Sequence, residues 1–155
     1  MKVQDIMTQA AVTDAPDDTL SEAAAKMRQQ QTGSLLVMEG SSLAGIVTER
    51  DVLRVVGEGR DPKNVSLRDA MTKDVVTIRP DSGIKDAAQI MFEKWFRHLP
   101  VTTESGEVVG VISLRDLLTL VARSMDDEPE ALTTLTGHKL VRDRRLERVE
   151  AGDLD

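Results

Sequence analysis

The chain has no cysteine and no tyrosine, and only two phenylalanines and one tryptophan in 155 residues. Without cysteine there are no disulfides, no thiol chemistry and no cysteine-ligated metal, which suits a reducing compartment. With so few aromatics, a core must be aliphatic, drawn from the Val, Leu, Ile, Ala and Met of a chain that is 40% hydrophobic. Positive charge is also in short supply. Twenty Lys and Arg against 27 Asp and Glu leave a net charge of −7, which argues against general binding to nucleic acid or anionic membrane. No apolar run approaches the roughly 18 residues of a membrane-spanning helix, and Met1-Lys2-Val3-Gln4-Asp5 lacks the apolar stretch of a signal peptide. These absences predict a soluble, cytoplasmic protein that binds neither nucleic acid nor membrane.

Enzyme signatures are missing too. There is no phosphate-loop GKS or GKT, no G-x-G-x-x-G and no paired metal histidines. His98 and His138 belong to no recognisable catalytic constellation, and Asp126-Asp127-Glu128 lacks the spacing of a calcium loop. The sequence predicts neither catalysis nor a metal site.

What the chain does contain, it contains twice. Asp5-Ile6-Met7-Thr8 returns as Asp69-Ala70-Met71-Thr72, an offset of 64 residues. The same offset carries Val12-Thr13 onto Val76-Thr77, Pro16-Asp17 onto Pro80-Asp81, Leu20, Ala23, Ala24 and Met27 onto Ile84, Ala87, Ala88 and Met91, and Leu35 and Val37 onto Leu99 and Val101. After a one-residue insertion the offset is 65, and Gly45-Ile46-Val47-Thr48-Glu49-Arg50-Asp51 falls on Gly110-Val111-Ile112-Ser113-Leu114-Arg115-Asp116. Each copy reads as a helical turn (3–7; 67–71), a brief strand (11–13; 75–78), a Pro-Asp turn, and a helix with apolar residues at i, i+3, i+4 and i+7. Two strands (34–38 with 43–47; 98–102 with 108–112) and a last helix opening at Thr48 or Ser113 complete it. Thr19-Leu20-Ser21-Glu22 is a capping box; Gly83 and Lys85 stand there in the second copy, so a cap is expected in the first only. On this reading Trp95 joins Ile84, Ala87, Ala88 and Met91 on a core face, while Phe92 and Phe96 flank it as either core packing or a dimer contact. The units are residues 3–58, a polar linker at 59–66, residues 67–122, and a charged tail at 123–155 with an Arg-rich helix near 139–149.

The residues at the strand-to-helix corners carry the chemistry. Thr48 with Asp51, and Ser113 with Asp116, match a capping box, and they also bring a hydroxyl and a carboxylate to a helix N-terminus that attracts anions. Capping does not call for the Arg50 or Arg115 between them. A carboxylate there could accept both hydrogen bonds of a cis-diol, worth roughly 1.5–3 kcal/mol. The second copy adds Arg97 and His98 where the first has Gly33 and Ser34, and arginine suits phosphate.

The doubled order of elements resembles the tandem CBS-domain pair, or Bateman module. So do Asp-Ile-Met-Thr and Asp-Ala-Met-Thr at the starts, Arg97-His98-Leu99-Pro100-Val101, and the Gly-h-h-[Thr/Ser]-x-Arg-Asp endings. The resemblance covers residues 3–122. It implies an α+β fold of two β-α-β-β-α repeats packed sheet to sheet with pseudo-twofold symmetry. It further implies a regulatory module binding AMP, ADP, ATP or S-adenosylmethionine in clefts between the repeats, often as a homodimer, and signalling to a protein effector. The family assigns Asp51 and Asp116 to ribose and, by resemblance alone, Thr13 and Thr77 to the adenine side. The competing reading is a constitutive dimerisation or scaffold module whose pockets are empty.

Overall fold

Each copy of the repeat opens with a helical turn, and each turn is built into the other copy. The computed structural model describes residues 1–125. Its first copy runs through a tight turn (Val3–Asp5), β1 (Thr13–Asp14), α1 (Leu20–Gln29), β2 (Ser34–Glu39), β3 (Ser42–Thr48) and α2 (Glu49–Gly57). A turn at Pro62–Asn64 then leads to α3 (Leu67–Ala70), α4 (Ile84–Lys94), β4 (His98–Thr102), β5 (Val108–Ser113) and α5 (Leu114–Met125). Met1–Asp116 form one compact unit, and the described residues from Leu117 on belong to another. The expected helix over 139–149 and most of the charged tail lie outside the described residues.

Periodicity explains the helices, and their ends explain where expectation fails. Thr19 and Glu22 close the capping box of α1: the Thr19 N–H donates to Glu22 Oε2 at 2.9 Å and the Glu22 N–H to Thr19 Oγ1 at 3.2 Å. The second copy is not bare. Gly83 has no side chain to accept with, but its N–H donates to Asp86 Oδ2 at 3.0 Å, so the acid half of the box survives. Helix α1 buries Leu20, Ala23 and Met27, and α4 buries Ala87 and Met91. Ala88 is exposed and Trp95 leaves the helical phase altogether, because α4 stops at Lys94 and Trp95 turns left-handed with φ 60°. Gln31, its counterpart in the first copy, does the same at φ 53°. The Phe96 N–H then bonds Met91 O at 3.1 Å and the Thr32 N–H bonds Met27 O at 3.0 Å, a matched pair of Schellman-type endings without glycine.

In the first copy β1 pairs parallel with β2, and β2 pairs antiparallel with β3. β4 and β5 repeat the hairpin, including a register shift at Val37/Met38 that recurs at Val101/Thr102. The strand expected over 75–78 is reduced to one bridge, Ile78 to Val101. The cause is Pro100. Its counterpart Leu36 donates its N–H to Val12 O at 2.9 Å, a bond that proline cannot make to Val76.

The exchange of turns follows the duplication bond for bond. The Val3 N–H reaches Ser82 O and the Gln4 N–H Pro80 O, both at 2.9 Å; the Leu67 N–H reaches Asp18 O and the Arg68 N–H Pro16 O, both at 2.9 Å. Thr8 bridges Val111, and Thr72 bridges Ile46. Glycine on the receiving strand makes room. A Cβ on Gly45 would lie 2.4 Å from Met71 Sδ and 2.9 Å from Thr72 O, and one on Gly110 would lie 2.6 Å from Thr8 O. The core around Leu20, Met27, Leu35, Val37, Val47 and Val55 accordingly contains Val65, Leu67 and Ala70 from beyond the first copy.

Candidate functional site

β3 and β5 each deliver a hydroxyl residue to the start of a helix, and the helix returns a carboxylate to it. The Thr48 N–H donates to Asp51 Oδ2 at 2.8 Å and the Thr48 hydroxyl to the same oxygen at 3.3 Å. In the second copy the Ser113 N–H and hydroxyl both donate to Asp116 Oδ2 at 2.7 Å, and the Asp116 N–H donates back to Ser113 Oγ at 3.3 Å. The reciprocal capping box therefore closes at the second corner, while the first has only its acid half, with no bond back to the Thr48 hydroxyl. These bonds fall on Oδ2. Asp51 Oδ1 is reached by Arg54 at 3.4 Å, and that arginine also donates to Ala70 O at 3.0 Å. Arg50 and Arg115 are exposed beside their corners.

The two corners meet through side chains of the second copy. His98 stands opposite Ser113 across the hairpin, as Ser34 stands opposite Thr48. The Leu114 N–H bonds Arg97 O at 2.8 Å, and the Glu49 N–H bonds Gly33 O at 3.1 Å. The Arg97 guanidinium crosses between copies to Glu49 Oε2 at 3.3 Å. A Cβ on Gly33 would lie 3.0 Å from His98 Cε1 and 3.3 Å from the Glu49 carboxyl, so the missing side chain at that position lets the groups converge. Burial and then the Arg97 charge push the His98 imidazole below its ordinary range; Glu49 and Asp116 oppose the shift, and Arg115 adds to it.

Of the expected residues, Thr48, Asp51, Arg97, His98, Ser113 and Asp116 gather at these joined corners. Thr13 and Thr77 stand on the segments beside β2 and β4: Thr13 pairs with Leu36, two residues along from Ser34, and Thr77 precedes the Ile78 bridge to Val101. Thr13 is exposed on β1, its carbonyl accepting from Lys26 Nζ at 3.1 Å, and the Thr77 hydroxyl accepts from Thr102 at 3.1 Å. Sequence reasoning gave no role to two acidic residues beside the expected ones. Glu49 is matched by Leu114 in the second copy, so the internal repeat gave it no weight. Asp14 is half-buried beside Thr13, paired with Lys26 through Oδ1, while its Oδ2 has no partner among the described residues. The signal for Asp14 was its mismatch with the aliphatic Ile78.

Comparison with known proteins places the fold in a family. A family model described as CBS domain matches residues 3–58 and 67–123. An uncharacterized protein of Methanopyrus kandleri is 33% identical over 120 residues, covering 76% of this chain; the chain spans 61% of that relative. The crystal structure of a CBS-domain containing protein from Agrobacterium tumefaciens is similar at a TM-score of 0.71 and 32% identity, covering 77% of this chain and 97% of that one. A CBS domain protein from Pyrobaculum aerophilum, complexed with AMP, is similar at a TM-score of 0.71, covering 76% and 90%. Its identity of 24% speaks for the fold alone.

Proposed function

The chain belongs to the CBS-domain family as a tandem pair, and from that premise we propose that it is a regulatory module, not an enzyme, that binds an adenosyl ligand between its repeats. The observation that carries this reading is the meeting of two acid-bearing corners at Arg97 and His98. Asp51 and Asp116 would accept from ribose hydroxyls, with Thr48, Ser113 and the helix N–H groups beside them. Arg97, Arg50 and Arg115 are the positive groups for phosphate, His98 is a hydrogen-bonding neighbour to them, and Thr13 and Thr77 line the adenine side. AMP, ADP, ATP and S-adenosylmethionine are the ligand class. No metal takes part. The setting is the cytoplasm, the assembly a homodimer, and the output a shape change read by a protein effector. To regulate, the ligand must distinguish two states by about 1–3 kcal/mol.

Titration calorimetry with the four ligands tests this on the parent protein, Asp51→Asn and Asp116→Asn. Losing a charge-assisted pair should weaken binding about 10- to 100-fold in at least one variant. Unchanged affinity in both, with intact folds, would remove the ribose role. A second reading, a scaffold that binds nothing, draws support from exposed leucines. Leu53 and its counterpart Leu118 are 72% and 58% exposed. The same titration decides: no heat with any adenosyl ligand, alongside a dimer in sedimentation, favours the scaffold.

A further inference from the structure

Glu49 is an acidic side chain that reaches a proposed phosphate holder, Arg97, from the opposite repeat. Its backbone is fixed as the first residue of α2, its N–H spent on Gly33 O, and its carboxylate lies 3.3 Å from the Arg97 guanidinium. Both side chains are more than half exposed, at 61% and 52%. A pair so open to water adds little to folding, so holding the repeats together is a poor account of it. The exchanged turns already do that with main-chain bonds. Leu114 holds the equivalent place in the second copy, which makes the charge a feature of one corner only.

We propose that Glu49 is a charge filter: it occupies Arg97 in the empty protein, must give way to an anionic ligand, and then repels it, so that the site weighs ligands by their phosphate charge. The inference rests on the adenosyl-binding reading and adds a specificity-determining residue to it. A phosphate group competes for the same guanidinium with more oxygen acceptors and more charge than a carboxylate, and it wins only after paying the displacement of Glu49. Each further phosphate raises the repulsion. The filter favours adenosyl ligands with few phosphates.

Three ligands that share base and ribose and differ in phosphate number read this directly: adenosine, AMP and ATP, titrated calorimetrically into the parent protein, Glu49→Gln and Glu49→Lys. Glu49→Gln keeps the backbone bond and the side-chain size, and thermal unfolding checks each fold. Removing the charge should tighten ATP by about three- to tenfold, AMP by less, and adenosine by under about twofold. Glu49→Lys should extend the same order. If ATP binds no better to either variant while the parent protein binds adenosyl ligands, the filter is wrong and the binding reading stands. Equal gains for all three ligands would also overturn it, because the effect would not be phosphate charge. If no protein binds any of the three, the filter falls, and if ADP and S-adenosylmethionine give no heat either, the reading falls with it.

Discussion

His98 is the residue whose protonation the fold controls most visibly. Burial and the neighbouring Arg97 favour the neutral ring, against the pull of Glu49 and Asp116, and Arg115 adds to the depression. As pH falls, the unfolded chain takes up the proton first, near the ordinary value of about 6.5. The contribution of His98 to stability is therefore fully present above that pH, and it declines as pH drops toward the lower value held in the fold. Denaturant midpoints measured from pH 7.5 to 5 should fall more steeply for the parent protein than for His98→Gln. Parallel profiles would show that the ring does not titrate differently in the two states. The sequence revealed that His98 and Arg97 were a second-copy addition, because Ser34 and Gly33 stood opposite them. It could not reveal Glu49 as their neighbour, since that contact joins residues 48 apart through a repeat boundary.

At the scale of elements, the periodic segments were legible and the cross-copy contacts were not. Helices α1 and α4 and both hairpins lie close to where spacing and turn residues put them. The misses have local causes: Pro100 withholds one N–H and trims a strand, and Trp95 turns left-handed and ends α4 instead of joining its face. Gly45 and Gly110 stand in the sequence only as the glycine of the repeated Gly-h-h-[Thr/Ser]-x-Arg-Asp motif, yet their lack of a side chain matters for the turn of the opposite copy lying against them. Gly45→Ala and Gly110→Ala should each cost about 1–3 kcal/mol through overpacking, because Thr72 O and Thr8 O are backbone atoms with little freedom to retreat. Thermal unfolding should show a drop of several degrees in each. An unchanged midpoint would mean that the neighbouring turn shifts freely.

For the whole molecule, the exchange of turns makes the two copies mutually dependent. One copy of about 60 residues is marginal by itself, and here each also lacks a piece of its own core. Cutting the chain between Gly59 and Arg60 should give fragments that are individually unfolded by circular dichroism and that regain the native spectrum when mixed. A fragment that folds alone would contradict the shared core. The duplication announced two similar halves, and nothing in it announced that they trade parts, since an internal match looks the same whether a segment packs at home or abroad. The trade also has a bearing on descent and on engineering. A peptide carrying a single copy could satisfy every one of these contacts by embracing another molecule of itself, so the present chain is, in mechanical terms, a tethered pair. Its linker then serves chiefly to raise the local concentration of one half around the other. Lengthening that tether with flexible residues should be tolerated far better than shortening it.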